Sequence, residues 1–111
     1  MPTKHFQLHT ARPNGTPHPR EVTVTGEVDA ANAADFTRAI HALPGPRPLI
    51  VNLSNVVYFD SAGFAALDRL LADKAIIIVI EPTSTLFKAA ELMCMPVQPS
   101  TTAAHQALQQ R

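Results

Sequence analysis

Residues Leu49 to Ile80, LIVNLSNVVYFDSAGFAALDRLLADKAIIIVI, hold two apolar runs around a segment of different period. Leu49-Ile50-Val51-Asn52-Leu53 reads as a largely buried strand, and Ala75 to Ile80, with four β-branched residues in succession from Ile76 to Val79, reads as another. Between them Phe64, Leu67, Leu70 and Leu71 form one helical stripe, with Asp68 at its border and Arg69 and Asp73 away from it. Two buried strands joined through an amphipathic helix predict a parallel crossover and therefore an α/β domain. Phe59-Asp60-Ser61-Ala62-Gly63-Phe64, a polar break in a core-like run, then falls at the turn from strand to helix.

Outward from this unit, Phe6 and Leu8, then Val22 and Val24, alternate with polar residues as half-buried strands do. Arg12 to Pro19 separates them, so the chain opens with an antiparallel hairpin on a long connection. Asp29 is placed to cap a helix from about Ala30 to Leu43, in which Ala33, Phe36, Ile40 and Leu43 share a face and Arg38 and His41 oppose it. Pro44-Gly45-Pro46-Arg47-Pro48 ends that helix. Ser84 can cap a third helix with Leu86, Ala90 and Met93 on one face, closed by Pro96, and Ser100 a last one carrying Ala104, Ala107 and Leu108, with Val97 joining the sheet briefly between them.

The predicted order is β-β-α-β-α-β-α-(β)-α: one domain over residues 1–111, fraying at about 1–4 and 109–111, with a mixed four- to five-stranded sheet and about four helices. If the parallel strands lie in spatial sequence, right-handed crossovers put successive helices on one face. The other face is left to the last helix, a partner or water.

Composition narrows the function classes. Hydrophobic residues make up 46% of the 111, and 9 basic side chains balance 9 acidic ones, a globular composition without the field that grips nucleic acid. Neither a signal peptide nor a run of membrane-spanning length is visible, so a cytoplasmic protein that binds no membrane is expected. Without an export signal, Asn14-Gly15-Thr16 and Asn52-Leu53-Ser54 are chance matches to the glycosylation triplet. The single cysteine, Cys94, lies in the apolar run Leu92-Met93-Cys94-Met95 and reads as a small buried thiol.

Chemistry concentrates at Asp60-Ser61. A serine at a helix start can cap the first turn, and an anion on its oxygen would meet free amides and the positive end of the helix dipole. The Asp29 turn follows another strand end, so the two turns are expected side by side, with Glu27, Asp29 and Asp60 around Ser61. Phosphorylation there adds about −1.5 to −2 charges and would repel an acidic partner surface. Enzyme readings are weak: Asp-Ser-Ala-Gly lacks the glycine that precedes the serine of a nucleophile elbow, and no phosphate-binding loop is present. His5 and His9 share a strand face, but without further ligands they read as a solvated pair and not a metal site.

Over nearly its whole length the sequence resembles the STAS domain, the module shared by bacterial anti-sigma factor antagonists and the cytoplasmic tails of sulfate transporters. The resemblance is carried by Thr25-Gly26-Glu27-Val28-Asp29 and by Leu53-Ser54-Asn55-Val56-Val57-Tyr58-Phe59-Asp60-Ser61-Ala62-Gly63, with Glu81-Pro82-Thr83-Ser84 and Leu86-Phe87 further on. It implies a non-enzymatic regulator that binds an anti-sigma factor serine kinase, frees a sigma factor, and is inactivated when the kinase phosphorylates Ser61. ATP would come with the kinase; the chain itself would need no cofactor. Glu27, Asp29, Asp60, Ser61, Ala62, Gly63 and Phe64 would form the partner-binding surface. An unswitched scaffold or sensor of the same fold, binding a signalling partner or small ligand, is the alternative. Two departures stand out: Ala62 replaces the second serine or threonine usual beside the acceptor, and the second helix is about one turn short, running from Asp73-Lys74 into the next strand without the customary glycine.

Overall fold

The structure, a computed structural model, describes residues 5–12 and 15–110. Met1 to Lys4, Pro13, Asn14 and Arg111 therefore lie outside it, as do the expected fraying at the N-terminus and part of the Asn14-Gly15-Thr16 triplet. Strand β1 (Phe6–Ala11) pairs antiparallel with β2 (Glu21–Val28), Leu8 opposite Val24, which is the expected hairpin. Helix α1 (Ala33–Ala42) follows, then β3 (Leu49–Asn52), β4 (Val56–Phe59), α2 (Ser61–Ala72), β5 (Ile76–Val79), α3 (Thr85–Leu92), β6 (Val97–Gln98) and α4 (Thr101–Gln109). The α/β class, the mixed sheet and the four helices are as the sequence predicts. The sheet, however, has six strands, not four or five.

One additional strand comes from splitting the apolar run after Leu49. The Asn52 side chain accepts a hydrogen bond from the Ser54 N–H at 2.9 Å, a local turn that competes with strand pairing. Ser54 Oγ in turn accepts from the Glu81 N–H at 2.9 Å, which fixes the turn against the segment after β5. As a result β3 pairs with the first half of β2, Val51 opposite Val22, and β4 resumes beside its second half, Phe59 opposite Val28. The short β6 (Val97–Gln98), pairing parallel with β5, is the brief strand expected at Val97.

Strands β2, β3, β5 and β6 do lie in spatial sequence. One face carries the main core, where Phe36 and Ile40 of α1, Phe64, Leu67 and Leu70 of α2, and Leu86 and Ala90 of α3 meet Val22, Val24, Leu49 and Val51. On the opposite face Ala104 of α4 packs with Ile50 and Val79, joined by Leu108 and Ile77, and His105 Nε2 lies 2.6 Å from Glu21 Oε1. The last helix thus covers the β3–β5 part of that face. Within the described residues no helix is long and apolar enough to cross a membrane.

Helix ends follow local chemistry. Ser84 and Ser100 cap α3 and α4 through their hydroxyls, accepting from Leu86 N at 3.2 Å and Ala103 N at 3.0 Å. At the end of α1 the Arg47 guanidinium donates to the carbonyls of Ile40 at 3.1 Å and Leu43 at 2.7 Å, satisfying acceptors that the proline-rich segment cannot. Cys94 is exposed, not buried, as is Met93, because α3 ends at Leu92 and the chain turns away there.

Helices α2 and α3 both end with a non-glycine residue in the left-handed region, Lys74 at φ 56° and Cys94 at φ 54°. Each closes a full Schellman motif, with Ala75 N bonded to Leu70 O and Lys74 N to Leu71 O in one, and Met95 N to Ala90 O and Cys94 N to Glu91 O in the other. Lys74 thus occupies the position of the missing glycine without losing the turn. Side chains pay a steric penalty in this conformation that glycine avoids. Lys74→Gly and Cys94→Gly should each stabilise the protein by about 0.5–1 kcal/mol, additively, in urea unfolding.

Candidate functional site

The turn after β4 is organised by Asp60, not by Ser61. Asp60 is the N-cap of α2: its backbone is extended, and its Oδ1 accepts from the Gly63 N–H at 3.1 Å. Ser61 is the first helical residue, exposed, and its hydroxyl has no hydrogen-bond partner among the described residues. The expected serine cap is thereby corrected. A carboxylate with two acceptor oxygens outcompetes a hydroxyl for the first-turn amides, and the serine side chain is left facing solvent.

The second oxygen of Asp60 reaches the neighbouring turn, Oδ2 accepting from the Ala30 N–H at 3.2 Å. The Asp29 and Asp60-Ser61 turns are therefore adjacent, as their positions after parallel strands require. Asp29 does not cap α1 directly, because the helix starts at Ala33. Instead Asp29 Oδ1 accepts from Ala31 N at 2.9 Å, and its carbonyl accepts from Asn32 N and Ala33 N. Asn32 locks this turn from beneath: it is buried, accepts from Asp29 N at 2.9 Å and donates to the Glu27 carbonyl at 3.0 Å. Sequence reasoning missed Asn32, a polar residue inside a predicted helix and so a possible turn signal.

The seven predicted site residues separate into two sets. Glu27, Asp29, Asp60 and Ala62 are half-buried and Ser61 exposed, so these five present surface. Gly63 and Phe64 are buried beneath the turn. A Cβ at Gly63 would come within 2.8 Å of the Phe59 ring, so glycine is required for that ring to pack. Phe64 stacks edge to face on Phe59 at 5.7 Å; Phe59 does so on Phe36 at 5.8 Å, and Phe36 on Phe6 at 5.5 Å.

Two apolar features border the turn. Val57 and Tyr58, in the core-like run before the turn, are 71% and 42% exposed. Tyr58 stands opposite Glu27 in the β2–β4 register. Between α1 and α2 the small side chains of Ala30, Ala33, Ala62 and Ala65 leave a shallow groove of about 280 Å³, with Thr37 and Arg69 along it. Exposed hydroxyl, acidic turn, apolar strand end and groove make a surface suited to binding a protein. Among the described residues no group of three or more His, Cys, Asp or Glu side chains is placed to hold a metal.

No curated protein matches the chain. Among solved structures the fold is similar to that in "Crystal Structure of an Anti-sigma Factor Antagonist from Mycobacterium paratuberculosis", with a TM-score of 0.66 and 20% sequence identity over 95% of each chain. The model of the STAS domain matches residues 11–74, more than half of the sequence and the part that runs from the first hairpin through β4, the Asp60-Ser61 turn and α2. With that match over the segment that builds both turns, the chain belongs to the STAS domain family.

Proposed function

We propose that this protein is an anti-sigma factor antagonist, which binds an anti-sigma factor serine kinase through the surface around the Asp29 and Asp60-Ser61 turns, so releasing a sigma factor, and is switched off when Ser61 is phosphorylated. The observation that carries the reading is Ser61 itself: an exposed, unengaged hydroxyl at the first position of α2, displaced from the cap by Asp60 and flanked by the Asp29 turn. Family membership and the similarity of fold support the same role.

In this reading the chain contributes an acceptor and a docking face, and the partner contributes ATP. The Ser61 oxygen forms a bond to the γ-phosphorus as the bond to the ADP oxygen breaks, and the hydroxyl proton passes to a base of the kinase. The phosphoryl group then adds about −1.5 to −2 charges beside the Asp60 carboxylate, competing with it for the first-turn amides and repelling acidic partner surface. Val57 and Tyr58 serve as apolar anchors of the interface, the ring of Tyr58 being of the type that contributes most when a partner buries it.

Pull-downs from native cytoplasm, followed by kinase assays with ATP on the captured partner, test this. Wild type and Ser61→Ala should hold the same partner, Ser61→Asp should hold it at least tenfold more weakly, and only wild type should incorporate phosphate. Identical binding by all three, with no phosphate on Ser61, would overturn the switch and leave an unswitched scaffold.

A further inference from the structure

Besides the outer side of the four-residue β4, which pairs with β2 alone, the sheet ends at β6 and at β1, and these two ends are treated differently. The β6 edge is two residues long and flanked by Pro96 and Pro99, residues that cannot donate to another strand. The β1 edge is six residues long, Phe6-Gln7-Leu8-His9-Thr10-Ala11, with no proline, lysine, arginine or acidic residue. Such a strand has none of the devices by which proteins protect an open edge.

Its pairing shows which groups are free. Phe6 stands opposite Gly26, and the Glu27 N–H donates to the His5 carbonyl at 2.8 Å, which makes Phe6–Gly26 a pair without mutual hydrogen bonds. Gln7, His9 and Ala11 therefore exchange bonds with β2, whereas the N–H and C=O groups of Phe6, Leu8 and Thr10 point outward. Within the described residues no strand pairs with β1 on that side. Phe6 and Leu8 are also half-buried, packed at the margin of the main core with part of each side chain still in water.

We propose that β1 pairs antiparallel with β1 of a second copy, centred on Leu8, to form a continuous sheet across a two-fold axis. In that register Leu8 faces Leu8 of the second copy and Phe6 faces its Thr10. The outward donors and acceptors are then satisfied, and the half-exposed Phe6 and Leu8 side chains extend the core across the seam. Antiparallel self-pairing places the same surface on both sides and so closes as a dimer. Pairing of β1 with β6 of another copy would propagate without closing, and the prolines beside β6 oppose it. With 9 basic and 9 acidic residues, two copies carry no net charge to hold them apart. The dimer does not depend on the role of Ser61.

Analytical ultracentrifugation over a range of concentrations, combined with amide exchange, tests the proposal. The wild type should pass from one chain to two as concentration rises. The Phe6, Leu8 and Thr10 amides should become protected in step with it, whereas Gln7 and His9 amides are protected throughout. Thr10→Pro removes an outward N–H and no bond to β2, and should remain a single chain with the wild-type circular dichroism spectrum. Should that variant not fold, Thr10→Lys, which puts a charge opposite Phe6 of the second copy, should weaken the dimer at least tenfold. A wild type that stays a single chain at every concentration would overturn the proposal, as would a dimer whose Leu8 and Thr10 amides exchange freely or a folded proline or lysine variant that dimerises as wild type does.

Discussion

Gly26→Ala should destabilise the protein by about 3 kcal/mol or more, lowering the melting temperature by roughly 10–20 °C. Gly26 has φ +94°, and a Cβ there would lie 2.2 Å from the His5 carbonyl oxygen, a backbone atom that cannot move aside without releasing β1. Three costs add: strain at positive φ, loss of the Glu27–His5 hydrogen bond, and displacement of Phe6 from Phe36. Gly26 also sits where the β2–β4 register shifts, so the same change disturbs the strand leading to the Asp60 turn. Gly15, also at positive φ but with nothing near its absent Cβ, is the matched control. Thermal unfolding of Gly26→Ala and Gly15→Ala should differ widely; similar losses would mean that the backbone angle, and not the close approach, sets the cost.

Asp60→Ala should cost about 2–3 kcal/mol in urea unfolding, far more than a half-exposed side chain ordinarily does. The carboxylate serves two amides in different turns, Gly63 through one oxygen and Ala30 through the other. Asp60→Asn separates the contributions: an amide has one acceptor oxygen, so it can keep the cap or the bridge but not both. Its loss should fall near half that of alanine. Under the proposed function both variants should also weaken partner binding while Ser61 is unmodified, because the bridge sets the two turns in register. Equal stability of Asp60→Asn and wild type would show that only one of the two bonds matters.

Much of this fold was legible because its signals are local and repeated. The helical stripe of Phe64, Leu67 and Leu70, the β-branched run Ile76 to Val79 and the caps Ser84 and Ser100 each state their element within a few residues, and all are found in place. The break between β3 and β4 was less visible. It depends on the Asn52 side chain turning back on its own backbone and on Ser54 meeting Glu81, a contact across 27 residues of sequence.

At the site, the pairing of the two turns could be inferred from strand order, but the identity of the cap could not. Asp60 and Ser61 are both good cap residues at adjacent positions, and the choice is made by Ala30, whose amide lies within reach of a carboxylate at 60. Similarly, Val57 and Tyr58 carry the composition of a core strand; their exposure results from the jog that leaves β4 paired with β2 on one side only. Cys94 was misplaced because apolar neighbours say nothing about where a helix ends.

The edge-to-face series Phe6, Phe36, Phe59 and Phe64 has a consequence for motion. Unwinding the first turn of α2 would pull Phe64 from Phe59 and open a hole in the centre of the protein, so that turn cannot fray on its own. The Gly63 and Phe64 amides, both bonded to Asp60, should exchange only through openings nearly as costly as global unfolding, unlike those of an ordinary surface loop. Ser61 is thus mounted on one of the stiffest parts of the molecule. Under the proposed function, a kinase that phosphorylates it must fit a fixed shape and gains no help from threading a flexible segment into its own cleft.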